Sequence, residues 1–301
     1  SYGEYIFDHS WANAYERSGL TYYPKLLSAV PFTPVPGPRL LALEGDVQAK
    51  KALLTGIQAI MQNNNLSSAH INFINKSDLT AAKDNKWIIR EGLQFHWHNQ
   101  KYDSFDKFLD CLTSRKRKNI RRERDSIQKS GIRFEHLTSD SIKSFHWDIF
   151  YQCYLSTIER KWGGAYLTRM FFDTLSVNIA DNILLILAYD GNKAIAGALN
   201  LIGADALYGR NWGGLRDVPF LHFETCYYQA IDFAIKTGLK RVEAGAQGLH
   251  KVPRGYVPTK TYSAHKILNP QFEEAIMRFI EQETLQIDEE SLQISKNSPY
   301  K

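Results

Sequence analysis

The amino-acid sequence predicts an α/β fold built on mixed β-sheets. Amphipathic helices alternate with short apolar strands, and the order strand, loop, helix, strand occurs twice along the 301 residues. The composition, 44% apolar and 23% charged, is that of an ordinary globular chain with room for two domains. We therefore expect two related domains. The first is expected to be incomplete at its N-terminus, because the chain starts within an aromatic-rich segment.

The first half contains the first copy of this order. Residues 23–30 and 68–74 are predicted strands, with a helix over residues 46–63 between them and further strands near residues 86–98. The first domain is predicted to end at residue 103.

A basic helix is predicted to connect the domains, over residues 104–130. Apolar side chains recur at helical spacing from Phe105 to Ile127, while residues 115–124 hold seven cations and one acid. Cations that wrap a helix this widely either face solvent or bind phosphates. Both possibilities stay open. The expected nucleic-acid-binding residues are Arg115, Lys116, Arg117, Lys118, Arg121, Arg122 and Arg124.

The second domain is predicted over residues 131–290, followed by a polar tail at residues 291–301. Its strands are expected at residues 132–136, 183–189, 194–202, 206–212, 239–246 and 262–267. Its helices are expected at residues 141–160, 168–177, 222–238 and 271–286. Gly191 lies in a predicted hairpin turn, and Gly238 is suited to a left-handed helix C-cap.

The most polar segment follows the strand predicted over residues 239–246. Side-chain alternation puts Glu243 and Gln247 on one face near the C-terminal end of this strand. The polar side chains that follow are His250, Lys251, Arg254 and Tyr256. An acid, an amide, a histidine and two cations in one loop suit acyl or phosphoryl transfer. A structural alternative stays open, in which Glu243 is a buried partner of Lys251 or Arg254.

Other classes of site are not indicated. The cysteines Cys111, Cys153 and Cys226 are widely separated and show no metal or disulfide spacing, so we expect neither a metal nor a bound cofactor. The longest apolar run, residues 183–189, is too short to cross a bilayer, and no signal peptide is recognised. We therefore expect a cytoplasmic protein.

The order of the predicted elements matches the GNAT acyltransferase plan. Most GNAT acetyltransferases hold the coenzyme A pyrophosphate on a glycine-rich loop before a helix, where backbone N–H groups bind the anion. The two candidate loops, residues 31–41 and 213–222, lack that glycine spacing, and four prolines remove N–H donors from the first. Acetyl-CoA is therefore a poor candidate for the donor.

Motifs along nearly the whole chain resemble the FemAB-like predicted N-acyltransferases of the GNAT superfamily, which are described as peptidoglycan biosynthesis/recognition proteins. The motifs are DHSWANAYER, YYPKLLSAVPFTPVPGPRLL, SRKRKNIRRER, KWGGAYLTRMFF, AGALNLIGADALYGRNWG, HFETCYYQAIDFAIKTGL and VEAGAQGLHKVPRGYVPTKTYSAH. The resemblance implies two GNAT-like domains similar to peptidoglycan-bridge aminoacyltransferases. Those enzymes take an aminoacyl group from a charged tRNA and place it on an amine.

The resulting hypothesis assigns roles to individual side chains. Glu243 would hold or deprotonate the acceptor amine, Gln247 would orient the carbonyl, and His250 is a second choice for proton transfer. The expected substrate-binding residues are Arg210, Lys251, Arg254, Tyr256, Asp8, His9, Trp11, Lys161 and Trp162. Asp8, His9 and Trp11 are expected to form the other wall of an interdomain cleft, although local packing is an alternative for them.

Two other functions are considered beside aminoacyl transfer from aminoacyl-tRNA to an amine of a peptide or peptidoglycan precursor. One is an acyl-CoA-dependent N-acetyltransferase with an unusual phosphate loop. The other is a non-catalytic protein that binds RNA or cell-wall fragments, for which the basic helix would matter and Glu243 would not.

Overall fold

The computed structural model describes residues 3–160, 164–245 and 248–301, and its elements confirm the predicted α/β class. The helices are α1 (His9–Arg17), α2 (Val47–Asn63), α3 (Lys76–Asp84), α4 (Phe105–Asp110), α5 (Ser114–Lys129), α6 (Ser144–Arg160), α7 (Arg169–Asn178), α8 (Leu221–Phe223), α9 (Gln229–Thr237) and α10 (Pro270–Lys296). The strands are β1 (Leu26–Ser28), β2 (Ser68–Ile71), β3 (Ile88–His98), β4 (Ile132–Thr138), β5 (Ile183–Asp190), β6 (Lys193–Ile202), β7 (Ala206–Gly214), β8 (Arg241–Glu243) and β9 (Val257–Ile267). A π-helix spans Glu224–Tyr228, and 3₁₀-helices span Ser139–Ser141, Ala180–Asn182 and Leu249–Arg254.

The basic helix predicted as one element is two helices, α4 and α5. Between them Leu112 forms an isolated bridge with Tyr300, and the Thr113 N–H donates to the carbonyl of Pro299 at 2.8 Å. These backbone groups therefore bond to the C-terminal segment instead of continuing the helix. The segment predicted as a polar tail is also partly helical, because α10 extends to Lys296.

The chain forms two compact units. One contains the chain up to Gln94 together with Pro258–Lys296, and the other contains Phe95–Val257 with Asn297–Lys301. These limits differ from the domains expected from the sequence. Residues 258–290 belong with the first half because β9 pairs antiparallel with β2, and the basic helix α5 is part of the second unit.

The first unit packs helices onto a small mixed sheet. β1 pairs parallel with β2, and β2 pairs antiparallel with β9. α2 begins at an Asp46 cap, whose carboxylate accepts the Ala49 N–H at 2.8 Å, and it buries Leu54 and Met61 in the core. On α1, the Trp11 ring is also buried, beside Ile276 of α10.

The second unit is built on an antiparallel ladder through β4, β5, β6 and β7. β8 continues it, parallel to β7 and antiparallel to the last residues of β3. β5 reads as an almost continuous apolar run because it is buried along nearly its whole length. Trp147 and Phe150 of α6 and Phe172 of α7 cover it. Among the described residues, no helix is both long and apolar enough to cross a membrane.

A buried histidine pair lies in the sheet of the first unit. His70 of β2 and His265 of β9 are register partners, and their Nδ1 atoms are 2.6 Å apart. Their Nε2 atoms contact the hydroxyls of Ser68 and Ser263 at 2.7 and 2.8 Å. Burial, with smaller effects from nearby cations, lowers the pKa of both rings well below the usual histidine value.

This pair should make stability sensitive to mild acid. Both rings stay neutral in the folded state while the unfolded chain takes up protons below about pH 6.5, so the free energy of unfolding should fall with pH there. His265→Gln removes one of the two histidines that take up a proton on unfolding. Between pH 6.5 and 5, the slope of the unfolding free energy against pH should therefore be shallower by about 1.4 kcal/mol per pH unit. Denaturant unfolding at several pH values measures this, and an unchanged slope would contradict it.

Candidate active site

The candidate site lies where β7 and β8 diverge. The parallel ladder between them ends at Tyr208 and Glu243 after three residue pairs. β7 continues beside β6 to Gly214, whereas the chain after β8 reaches Gly245 with φ +80°, a left-handed conformation that glycine adopts without strain. The sheet therefore opens between the two strands within the second unit.

A cavity of about 120 Å³ occupies this opening. Side chains from β6, β7 and the helical segment after Leu221 line it, and Ala244 and Gly245 form an edge. The side chains are Asn200, Arg210, Trp212, His222, Cys226 and Tyr227. Cys226 and Tyr227 lie in the π-helix, and π-helical turns occur frequently at functional sites.

Lys251 is a buried cation next to this cavity. The side chain lies in the 3₁₀-helix and only 1% of the residue is exposed. Its Nζ donates to the carbonyl of Gly245 at 2.7 Å, at the cavity edge. No carboxylate of the described chain lies within 4.0 Å of Nζ. Burial lowers the pKa of Lys251 to about 8.

An ammonium group held in this way favours a negative charge nearby. Removing a cation from water costs free energy unless an anion compensates it, and the partner of Lys251 among the described residues is a carbonyl oxygen. The ammonium group of Lys251 is thus held by the carbonyl of Gly245, which lies at the edge of the opening in the sheet. Such an arrangement can stabilise an oxyanion or bind a carboxylate or phosphate.

Glu243, expected to be catalytic, is bound to an arginine. Its Oε1 accepts from Nε of Arg241 at 2.7 Å, and Arg241 also pairs with Asp205. Oε2 lies 3.8 Å from Nε2 of His96, the register partner of Glu243 on β3. Burial raises the pKa of Glu243, and Arg241 opposes this effect. The alternative partners Lys251 and Arg254 are not those observed, because the neighbouring strand residue Arg241 is closer.

His250 is connected to the cavity through Tyr227. Its Nε2 lies 2.7 Å from the hydroxyl of Tyr227, which lines the cavity. His250 itself is largely exposed. Burial of its ring, together with Lys251 and Arg254, lowers its pKa, so the neutral imidazole predominates at neutral pH.

Arg254 and Tyr256 are engaged within the protein, which differs from their expected role in binding substrate. Nη2 of Arg254 donates to Glu123 of α5 at 2.8 Å, and the guanidinium lies 3.4 Å from the ring centre of Phe223. Tyr256 is completely buried against Tyr227. The side chains of Arg254 and Tyr256 therefore pack the segment after β8 against the rest of the second unit.

Arg210 is a predicted site residue that does line the cavity, where its Nη1 is 3.3 Å from the hydroxyl of Tyr166. Sequence reasoning did not identify Asn200, Trp212, His222 or Cys226 as cavity residues. A signal for two of them was present, because His222 and Cys226 are four residues apart on one predicted helix.

The remaining predicted site residues fall outside this group. Asp8, His9 and Trp11 belong to the first unit, where the Asp8 carboxylate accepts from Lys25 at 2.6 Å and Trp11 is buried. These contacts agree with the packing alternative for Asp8 and Trp11, whereas the side chain of His9 is exposed. Lys161, Trp162 and Gln247 lie outside the described residues, so their predicted roles stay predictions.

The cations of α5 differ in whether a carboxylate lies near them. Arg124 is partly buried, pairs with Asp232 at 2.7 Å and Glu224 at 3.2 Å, and stacks on Phe105. These contacts differ from the phosphate-binding role predicted for it. Arg117 and Arg121 lie near carboxylates of α4, at 3.6 and 3.5 Å. Among the described residues of α5, the cations without a carboxylate within 4.0 Å are Arg115, Lys116, Lys118, Arg122 and Lys129.

A groove runs along the cationic face of α5. Its residues include Arg117, Lys118, Arg121, Arg122 and Lys129, and its volume is about 540 Å³. The free cations and the groove lie on the same helix as Glu123, which binds Arg254 from the opposite, buried side. A metal site is not found among the described residues, since no three metal-ligating acids, histidines or cysteines cluster.

The sequence profile of the FemAB-like family, described as peptidoglycan biosynthesis/recognition, matches residues 1–301, so the chain belongs to this family. Family membership supports a transferase connected with peptidoglycan. No curated protein matches the chain significantly.

Solved structures of similar fold include FemX, at 13% identity and a TM-score of 0.55, covering 84% of this chain and 82% of that one. The L-PGS structure from Bacillus licheniformis has 11% identity and a TM-score of 0.55, with 76% and 78% coverage. The C-terminal domain of a putative lysylphosphatidylglycerol synthetase from Agrobacterium fabrum has 12% identity and a TM-score of 0.57, with 79% coverage of both chains. At these identities the likeness establishes a shared fold. The resemblance to the FemAB-like family is confirmed by the sequence profile.

The buried charge of Lys251 predicts that its removal stabilises the protein. Lys251→Met should raise the free energy of unfolding at pH 7 by about 2 kcal/mol, because the folded state no longer desolvates an uncompensated ammonium group. Lys50 provides a matched control, since it is also buried but pairs with the buried Asp78 at 2.7 Å. Lys50→Met should lower the free energy of unfolding by about 3 kcal/mol. Denaturant unfolding of both variants measures this, and destabilisation by Lys251→Met would contradict it.

Proposed function

We propose that this protein is an N-acyltransferase that moves an aminoacyl group from aminoacyl-tRNA to an amine of a peptide or peptidoglycan precursor. The observation that carries the proposal is Lys251, a buried ammonium group beside the cavity between β7 and β8 that has no carboxylate partner among the described residues. Membership of the FemAB-like family supports the connection with peptidoglycan.

Aminoacyl transfer needs stabilisation of negative charge at one oxygen. The acceptor amine attacks the carbonyl carbon of the ester, a C–N bond forms, and the carbonyl oxygen becomes an oxyanion. The C–O bond then breaks, and the ribose oxygen leaves as a hydroxyl after taking a proton. Lys251 is proposed to stabilise the oxyanion electrostatically, because charges interact strongly in a site shielded from water.

The attacking nitrogen must also lose a proton. His250 is proposed to accept it, because its lowered pKa keeps the ring neutral and Tyr227 connects it to the cavity. Glu243 is less suited to this role because Arg241 binds its carboxylate. Orientation of the carbonyl by Gln247 stays a prediction.

The basic face of α5 is proposed to bind the phosphates of the tRNA. Arg115, Lys118 and Arg122 are exposed, and none of them has a carboxylate within 4.0 Å in the described structure. They occur at spacings of three and four residues, which place them along one side of a helix. A row of this kind can follow a negatively charged backbone.

Two measurements separate this donor from the alternatives. Thermal stabilisation by a coenzyme A thioester, without stabilisation by RNA, would favour an acyl-CoA-dependent acetyltransferase. RNA binding without transfer to any peptidoglycan amine would favour a non-catalytic binding protein.

The salt dependence of RNA binding tests the role of α5. Replacing Arg115, Lys118 and Arg122 with alanine removes three potential phosphate contacts, so the slope of log K against log salt should flatten by roughly 2 to 3. A control in which Lys193, Lys236 and Lys240 are replaced with alanine removes the same charge outside the helix and should keep the original slope. Equal slopes for the two triple variants would exclude α5 as the RNA-binding surface.

Turnover tests the role of Lys251. Lys251→Met should lower kcat for transfer from a charged tRNA by about 10²- to 10³-fold, since a positioned charge next to the oxyanion is lost. In the wild type, the rate should decline as pH rises past about 8, where Lys251 loses its proton. Full activity of Lys251→Met, in a variant as stable as predicted above, would remove Lys251 from the mechanism.

A further inference from the structure

The buried side of the cationic helix α5 carries an acid, Glu123, which is only 8% exposed. Its Oε1 accepts from Nη2 of Arg254 at 2.8 Å, and its Oε2 accepts from the hydroxyl of Tyr228. One carboxylate therefore connects α5 to both the 3₁₀-helix Leu249–Arg254 and the π-helix Glu224–Tyr228. These two segments carry Lys251 and part of the cavity wall.

The charge of Glu123 matters because two cations are buried close together in sequence. Arg254 and Lys251 are 7% and 1% exposed, and Glu123 is the carboxylate within 4.0 Å of Arg254 among the described residues. Nη1 of Arg254 also donates to the carbonyl of His250 at 2.5 Å, which is a hydrogen bond within the 3₁₀-helix. Without Glu123, two uncompensated cations would remain in one buried loop, and exposure to water would relieve this.

A second contact ties the same loop to the start of α5. The hydroxyl of Tyr300 donates to the carbonyl of Gly255 at 2.6 Å, while the neighbouring Pro299 accepts the N–H of Thr113, the N-cap of α5. Gly255 has φ +91°, and an added Cβ would lie 2.6 Å from the ring of Phe108. The loop end is therefore closely packed where this C-terminal segment meets it.

We propose that Glu123 is a positioning residue, which holds the 3₁₀-helix against α5 and thereby keeps Lys251 buried beside Gly245. The proposal rests on the proposed function for its catalytic consequence. It assigns α5 a second role besides phosphate binding: its inner face fixes the cation that acts at the cavity.

The test measures Lys251 directly, by reductive methylation with formaldehyde and cyanoborohydride at a series of pH values, followed by peptide mass spectrometry. In the wild type, methylation of Lys251 should be slow, with a midpoint near pH 8. In Glu123→Gln, the 3₁₀-helix should detach, so the plateau rate should rise at least about tenfold and the midpoint should move toward the ordinary lysine value of about 10.4. Asp125→Asn, the same charge change on an exposed residue of α5, should keep the wild-type profile, and Glu123→Asp should restore it in part.

A second variant addresses failure of Glu123→Gln to fold. The double variant Glu123→Gln/Arg254→Met removes both charges of the pair. No unpaired guanidinium then remains buried to destabilise the fold. Because the contact to α5 is still absent, Lys251 should again methylate faster and with a higher midpoint. A wild-type profile in the double variant, or in a folded Glu123→Gln, overturns the proposal.

Kinetics add an arm that depends on the proposed function. Glu123→Gln should lower kcat at least about tenfold with little change in KM for the charged tRNA, whereas the triple alanine variant of Arg115, Lys118 and Arg122 should raise KM. The methylation profile requires no turnover. Thus an inactive wild type with the expected methylation shifts would count against the proposed function alone, and active protein with unshifted profiles would count against the positioning role alone.

Discussion

The short parallel ladder between β7 and β8 is the constraint on which the candidate site depends. Three residue pairs hold the strands together, and Gly209 keeps them close at the end of the ladder, where an added Cβ would lie 3.3 Å from Cα of Ala244. Beyond that point β7 continues beside β6, whereas β8 ends at Glu243. Because backbone groups of the opening are not consumed by pairing between β7 and β8, a cavity and its lining side chains can form inside the sheet.

Charge within the second unit is arranged around that opening. The partly buried Arg124 pairs with Glu224 and Asp232, and the buried Arg254 pairs with Glu123. Lys251 is the exception, with a carbonyl as its partner. Pairing keeps the arginines in structural roles, while the unpaired ammonium remains able to respond to an anion. Because of this contrast, we assign the chemistry to Lys251 and not to the two paired arginines.

Sequence reasoning singled out the segment after β8, which borders the candidate cavity, but it did not give the partners of its side chains. Helical and strand periodicity, the Gly238 C-cap with φ +72° and the hairpin at Gly191 were readable because they depend on local backbone preferences. The partner of Glu243 was not readable in the same way. Arg241 lies two residues away on the same strand face, yet the choice among Arg241, Lys251 and Arg254 depends on how the loop after β8 folds. Likewise, the split of the basic helix into α4 and α5 depends on Pro299 and Tyr300, nearly 200 residues away in sequence.

The sequence by itself determined the α/β class, the family resemblance, most of the helices and strands, and the concentration of positive charge in residues 115–124. These properties follow from periodicity, composition and motifs, which are local. Tertiary structure alone decided that Arg124 and Arg254 pair with carboxylates and that β9 joins the first unit. It also decided that Lys251 is buried with no counter-charge among the described residues. The physical reason is that burial and pairing arise from contacts between distant segments, and the same lysine in an open loop would be an ordinary solvated cation.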